Sequence, residues 1–246
     1  MRRIVVALLA VTAMSIAANA ADMPVKGPVY KAPPPALYDW SGLYVGVNGG
    51  YIWGHATQTD IDGYNDAGST IGYRPNGFQG GGHIGYNYQI NQFVLGVEGE
   101  VGYLAWKKSA QYGPYIGVRS ANDSIASTSD GAYGVIAGRI GVAFNNFLVF
   151  AKGGGIFTGV KNSFTDTDPF GTTLVSGTDT SDRNGWTVGG GVEYAYDRNW
   201  VARFEYAHYD FGTETETATS AGGTTYRFDH KLTADSVRVG ISYFFR

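Results

Sequence analysis

The sequence predicts an all-β chain closed as an eight-stranded antiparallel up-and-down transmembrane β-barrel with four long external loops. Three observations predict it. Eight Gly- and aromatic-rich segments recur, at 42–53, 77–88, 93–103, 132–144, 147–160, 185–196, 200–209 and 236–245. Their connections alternate, with long polar ones at 54–76, 104–131, 161–184 and 211–235 and short ones at 89–92, 145–146 and 197–199. Within the segments, apolar residues alternate with small or polar ones at the period of two that a sheet imposes.

Taken in order, the N-terminus comes first. Arg2 and Arg3 precede the apolar run 4–16, and Ala18-Asn19-Ala20 offers a small-x-small cleavage site before Ala21. This reads as a signal peptide over 1–20, because the apolar core is too short for a membrane helix. Residues 21–40 hold Pro24, Pro28, Pro33, Pro34 and Pro35 and read as an extended periplasmic linker. The barrel takes 41–246.

The strands show their faces by parity. In 93–103, Phe93, Leu95, Val97, Val101 and Tyr103 oppose Gly96, Glu98, Glu100 and Gly102. In 185–196, Trp186, Val188, Val192, Tyr194 and Tyr196 oppose Thr187, Gly189, Gly191 and Glu193. In the last segment Val237, Val239, Ile241, Tyr243 and Phe245 oppose Ser236, Arg238, Gly240 and Ser242. Two places break the pattern: Leu148 and Phe150 share a face with Lys152, and His208 lies on the apolar face of its strand. Pro75, Pro114 and Pro169 fall in long connections, so no proline interrupts a strand ladder. Segments of about ten residues suffice to cross a bilayer when tilted.

Volume decides which face points out. An eight-stranded barrel has an interior only just filled by side chains. The small face therefore suits the lumen and the bulky apolar face suits lipid. Tyr86, Phe93, Phe144, Trp186, Tyr196, Trp200 and Phe245 are expected to form aromatic girdles at the membrane boundaries.

The residues also resemble a known family. Trp40-Ser41-Gly42-Leu43-Tyr44-Val45-Gly46-Val47-Asn48-Gly49-Gly50 is similar to the opening strand of the small alpha-proteobacterial outer-membrane immunogenic proteins, related in fold to the barrel of outer membrane protein A. Gly80-Gly81-Gly82-His83-Ile84-Gly85-Tyr86-Asn87-Tyr88-Gln89 resembles their second strand, and Gly96-Val97-Glu98-Gly99-Glu100 their third. The resemblance implies an abundant protein of the Gram-negative outer membrane. Members are described as porin-like, envelope-stabilising, antigenic or haemin-binding, so the resemblance implies location more sharply than activity. One departure is that Arg246 follows Tyr243-Phe244-Phe245, where such barrels usually end on an aromatic read by the insertion machinery.

Composition narrows the chemistry. Removing the signal leaves 16 basic against 21 acidic residues, a net charge of −5. That excludes a nucleic-acid partner, which needs a basic surface. There are no cysteines, so thiolate and disulfide chemistry are absent. The expected partners are outer-membrane lipid and lipopolysaccharide and the barrel insertion machinery, with peptidoglycan or a host surface as further candidates.

The lumenal face collects Glu98, Glu100, Glu193 and Glu205 with Arg139, Lys152, Arg203 and Arg238. Four acids balance four bases, and unpaired charges in a narrow interior would be costly, so a paired network is expected. Two readings follow: a salt-bridged plug in a structural, surface-exposed barrel, which the tight lumen favours, or a porin-like channel for small solutes. Glu98 and Glu100 as an acid–base pair is disfavoured, because no nucleophile, base and orienter stand together. No catalytic, metal or cofactor site is expected. A haem ligand would have to come from His55, His83, His208 or His230; His83 reads as a lumenal hydrogen-bonding partner, His208 as interfacial, and His55 and His230 as solvated loop residues. The run Asp60-Ile61-Asp62-Gly63-Tyr64-Asn65-Asp66 fails as a calcium loop, because its glycine is misplaced and no closing Glu follows.

Overall fold

The computed structural model describes residues 38–64, 67–106, 108–111, 124–129, 131–167, 173–220 and 222–246. The signal peptide expected over 1–20 and residues 21–37 of the linker expected over 21–40 lie outside the described residues. Among those described, the chain forms strands β1 (Gly42–Asp60), β2 (Thr70–Tyr73), β3 (Asn76–Ile90), β4 (Phe93–Trp106), β5 (Lys108–Gln111), β6 (Ser124–Ser129), β7 (Gly131–Phe144), β8 (Phe147–Thr167), β9 (Thr173–Ala195), β10 (Trp200–Ser220) and β11 (Thr225–Phe245), and no helix.

Eight of these close a ring, in the order β1-β3-β4-β7-β8-β9-β10-β11, each antiparallel to its neighbours, with β11 returning to β1. Closure removes the sheet edges that a membrane could not satisfy. β2 adds to β1, and β5 and β6 extend the sheet beyond β8. Two-residue turns at Asn91-Gln92 and Asn145-Asn146 and a bend at 196–199 join strands at one end. Asn91 and Asn145 adopt φ of 55° and 54°, a left-handed conformation that asparagine tolerates in tight hairpins.

The long connections differ from the sequence expectation. Most of 161–184 and 211–235 is strand, and β8, β9, β10 and β11 run 21 to 23 residues. A bilayer needs about half that length. The barrel wall therefore continues far beyond the membrane as β-hairpins. There, Thr213, Thr215, Thr217 and Thr219 line the outer side of β10, a residue type that suits strands without marking an apolar face.

One bulge adjusts the faces. Up to Phe211 the odd-numbered residues of β10 point inward; beyond it Glu216 and Ala218 do. The register with β11 slips between Asp210 and Thr213, at Gly212, whose φ of +73° favours glycine.

Side chains sort as the volume argument requires. Val97, Val101, Ile136 and Val239 are each more than 60% exposed on the outer wall, the signature of a lipid-facing band. The lumen is filled. At the short-turn end, Trp40, Tyr44, Val94, Leu148, Phe150, Ala195, Val201 and Phe244 pack together. Further along, Ile52, Leu104, Trp106, Ile156, Tyr209, Phe211 and Leu232 belong to a second apolar cluster.

Candidate functional site: the charged lumen

Between those two apolar clusters lie the eight lumenal charges, every one buried to 4% exposure or less. The ring brings them together. Arg139 faces Lys152 across β7–β8, Glu193 faces Arg203 across β9–β10, and Glu205 faces Arg238 across β10–β11. Glu98 and Glu100 project from β4, the neighbour of β7, and complete the balance.

The contacts are shared rather than pairwise. Arg203 donates to both oxygens of Glu98, at 3.0 and 2.7 Å, and its Nε donates to Glu193 at 2.7 Å. Lys152 sits 3.1 Å from Glu98, 2.8 Å from Glu205 and 3.6 Å from Glu100. Arg139 lies 2.9 Å from Glu193 and 3.5 Å from Glu98. Arg238 bridges Glu100 and Glu205. Removing ions from water costs several kcal/mol each, and only a fully paired set offsets that.

Two tyrosines absent from the sequence-level site join the network. Tyr44 donates to Glu98 at 2.8 Å and accepts from Arg139 at 2.8 Å; Tyr133 donates to Glu100 at 2.7 Å. Glycines house their rings. A Cβ on Gly85 would stand 2.3 Å from the Tyr44 hydroxyl, and one on Gly102 2.7 Å from the Tyr133 ring. Lumenal glycine thus makes room for large partners. Phe150, whose face conflicted with Lys152, lies under the Arg139 guanidinium at 4.3 Å and the Arg203 guanidinium at 5.5 Å, cation–π contacts that explain its parity.

The short-turn end is floored by residues before β1. Trp40 has no exposed surface, its backbone N–H donates to Gln89 Oε1 at 2.6 Å, and its ring meets Phe244 edge-on. Tyr38 donates to the Arg198 carbonyl at 3.2 Å, and Arg246 stacks its guanidinium 4.2 Å from the Tyr38 ring. Arg246 therefore has a place in the floor.

The expected girdle residues Tyr86, Phe93, Phe144, Trp186, Tyr196, Trp200 and Phe245 are all exposed on the outer wall. Phe93, Phe144, Tyr196, Trp200 and Phe245 lie at the short-turn end, and Trp186 lies toward the other. Tyr51, Trp53 and Tyr103, near the long connections, extend the second belt.

The histidines separate. His83 is lumenal, with Nε2 2.8 Å from Ser242 Oγ. His208 faces outward beside Asp235. His55 is exposed on the upper part of β1. His230 is not a solvated loop residue: it is buried on β11, 2.8 Å from Glu216, because the strand runs on past the expected boundary. Arg183 on β9 donates to its carbonyl at 3.3 Å. Among the described residues no three His, Asp or Glu side chains converge as a metal site.

Comparison with known proteins agrees with this architecture. Residues 5–245 match the family model described as an outer membrane protein beta-barrel domain. The 25 kDa outer-membrane immunogenic protein of Brucella abortus is 31% identical over 244 residues, covering 97% of this chain and 94% of that protein. The outer membrane protein OprG from Pseudomonas aeruginosa shares the fold at a TM-score of 0.54 and 11% identity, over 84% of this chain and 97% of that one. The outer membrane protease OmpT from Escherichia coli does so at 0.51 and 10%, over 83% and 97%. With a closed eight-stranded wall, a lipid-facing band and these relatives, the chain belongs to the outer-membrane β-barrel family of Gram-negative bacteria.

Proposed function

We propose that this barrel is a structural, surface-exposed element of the outer membrane with a sealed lumen, and that it is neither a diffusion channel nor an enzyme. One observation carries the reading: the eight-charge network is enclosed between two apolar layers. Trp40, Tyr44, Leu148 and Phe244 lie on one side, and Leu104, Trp106, Tyr209 and Phe211 on the other. A conducting pore needs a continuous wet path lined by polar groups. Here an apolar layer interrupts that path on each side. The long hairpins past the membrane supply the surface that such a protein would present outside.

Catalysis finds little support in the lumen. Ser242, His83 and Asn48 do form a chain, with Nε2 2.8 Å from the serine and Nδ1 3.4 Å from Asn48 Nδ2. But Ser242 is 1% exposed, with no route for a substrate.

Planar-bilayer recording on the purified full-length protein tests the reading. The sealed barrel passes almost no steady current, and Arg139→Ala raises it by admitting water beside an uncompensated carboxylate. A large wild-type conductance unchanged by Arg139→Ala selects the porin instead. Cysteine labelling of intact cells tests orientation: with the short turns on the periplasmic side, position 222 should react and positions 145 and 198 should not, and the reverse pattern would invert the barrel.

A further inference from the structure

On the outer wall, four neighbouring strands bring two tryptophans and an ionisable pair to one height. Asp235 on β11 faces Trp53 on β1 and His208 on β10. Trp186, on β9, stands with its ring 5.6 Å from the His208 ring. Asp235 Oδ1 accepts from His208 Nδ1 at 2.8 Å and from the Tyr206 hydroxyl at 2.6 Å. An ionised carboxylate has no proton to give, so the imidazole carries its proton on Nδ1. Nε2 is left as an outward hydrogen-bonding atom. Neither Nε2 nor Asp235 Oδ2 has a partner among the described residues. Both side chains remain partly open, at 33% and 22%.

Height places this cluster among headgroups. Outward along β11 stand Phe245, Tyr243, Ile241, Val239 and Val237, and Asp235 is the first polar residue after them. That apolar run spans about the nine to eleven residues of one membrane crossing. Trp186, Trp53 and Tyr206 sit where amphipathic rings prefer the lipid–water boundary.

Charge then selects the ligand. A phosphate calls for cations and N–H donors. This cluster offers a carboxylate, which repels phosphate and accepts from hydroxyls. Flat aromatic faces beside acceptors match a sugar ring, with its C–H face and hydroxyl edge. We propose that Trp186, His208, Asp235, Tyr206 and Trp53 form a headgroup site for the sugar of an outer-leaflet glycolipid. The proposal rests on the outward orientation of the long hairpins and is independent of whether the lumen conducts.

The test uses refolded full-length protein in detergent, with purified lipid A as probe and native mass spectrometry to count retained lipid. Asp235→Asn and His208→Phe should lower retention about tenfold, the scale of losing a hydrogen bond to a charged group. Trp200→Leu, in the opposite girdle, should leave it unchanged, and dephosphorylated lipid A should bind as well as the parent. Heat-modifiable gel migration confirms that each variant is folded. Three results overturn the proposal: unchanged retention in both site variants, equal loss in Trp200→Leu, or loss on dephosphorylation. The first two leave a plain interfacial girdle and the third a phosphate site. If retention behaves as expected while bilayer recordings show a large conductance, the sealed-lumen reading fails and the headgroup site stands. Should labelling put position 222 in the periplasm, the outer-leaflet assignment fails with it.

Discussion

Glu98 and Arg203, 105 residues apart in sequence, meet fork to fork at the centre of the lumen, with two hydrogen bonds of 3.0 and 2.7 Å. Bidentate geometry of this kind is specific to guanidinium, because an ammonium presents one point charge. Removing one partner leaves the other buried and charged. Arg203→Leu is therefore expected to destabilise the barrel by about 3–5 kcal/mol, read from urea unfolding in lipid vesicles. Adding Glu98→Gln should recover part of the loss, since the uncompensated carboxylate goes with it. Additive losses would show that the pair is not coupled.

The lipid face gives the second prediction. Val192 and Val239 point outward, at 40% and 63% exposure. An arginine at either position should cost about 2–4 kcal/mol near the midplane. The matching lumenal control cannot be Gly191→Ser, which parity alone suggests as mild. A Cβ on Gly191 would stand 2.1 Å from the Phe204 carbonyl oxygen. Ser236→Ala removes one buried hydroxyl without adding volume and should be nearly neutral. If Val239→Arg assembles as readily as Ser236→Ala, the faces are inverted.

The floor yields the third. Trp40 fills the lumen beneath Tyr44 and Phe244. Trp40→Ala should cost about 3–5 kcal/mol through the cavity it leaves. Arg246 holds cation–π contacts with Tyr38 and Phe244 at the open end of the floor, so its deletion should cost about 1 kcal/mol. Folding yields of the two variants in vesicles decide the ranking. Equal effects would mean that Arg246 does more than cover the floor.

How much of this was legible in sequence depends on where water lies. Inside the bilayer, one face meets lipid and the other a packed lumen, so Val97 against Glu98 or Val239 against Arg238 displays the sheet period. Beyond the bilayer that contrast fades. The extension of β10 through Thr213–Ser220 therefore reads as a polar loop, and Glu216 and His230 go unrecognised as buried partners. Parity identified which charges share the lumen. Which carboxylate meets which cation depends on register between strands far apart in the chain, as with Lys152 and Glu98. Tyr44 and Tyr133 escaped notice for a different reason: bulky aromatics were assigned to lipid, and only the opposing glycines reveal the room made for them inside.

The last prediction concerns the outer end of the wall. Asp62, just past β1, accepts from Arg227 on β11 through Nε at 3.0 Å, Nη2 at 2.8 Å and the backbone N–H at 2.8 Å. Beside it Tyr64 packs edge-on against Tyr226. The hydrogen bond from Arg227 holds the Asp62 carboxyl below the ordinary carboxylate range. A depressed acid stabilises the clasped form at pH above its unclasped value, and that contribution is lost as pH falls through the lowered one. The clasp should therefore be complete at neutral pH and open only in strong acid. Both partners are solvent-exposed, so salt weakens it as well. Limited proteolysis of the 61–69 turn measures the opening. Cleavage should be slow at pH 7 and accelerate below the ordinary carboxylate range, and Asp62→Asn should be cut readily at both. A variant as resistant as wild type at pH 7 would show that Tyr64 and its aromatic neighbours, not the ion pair, hold the turn.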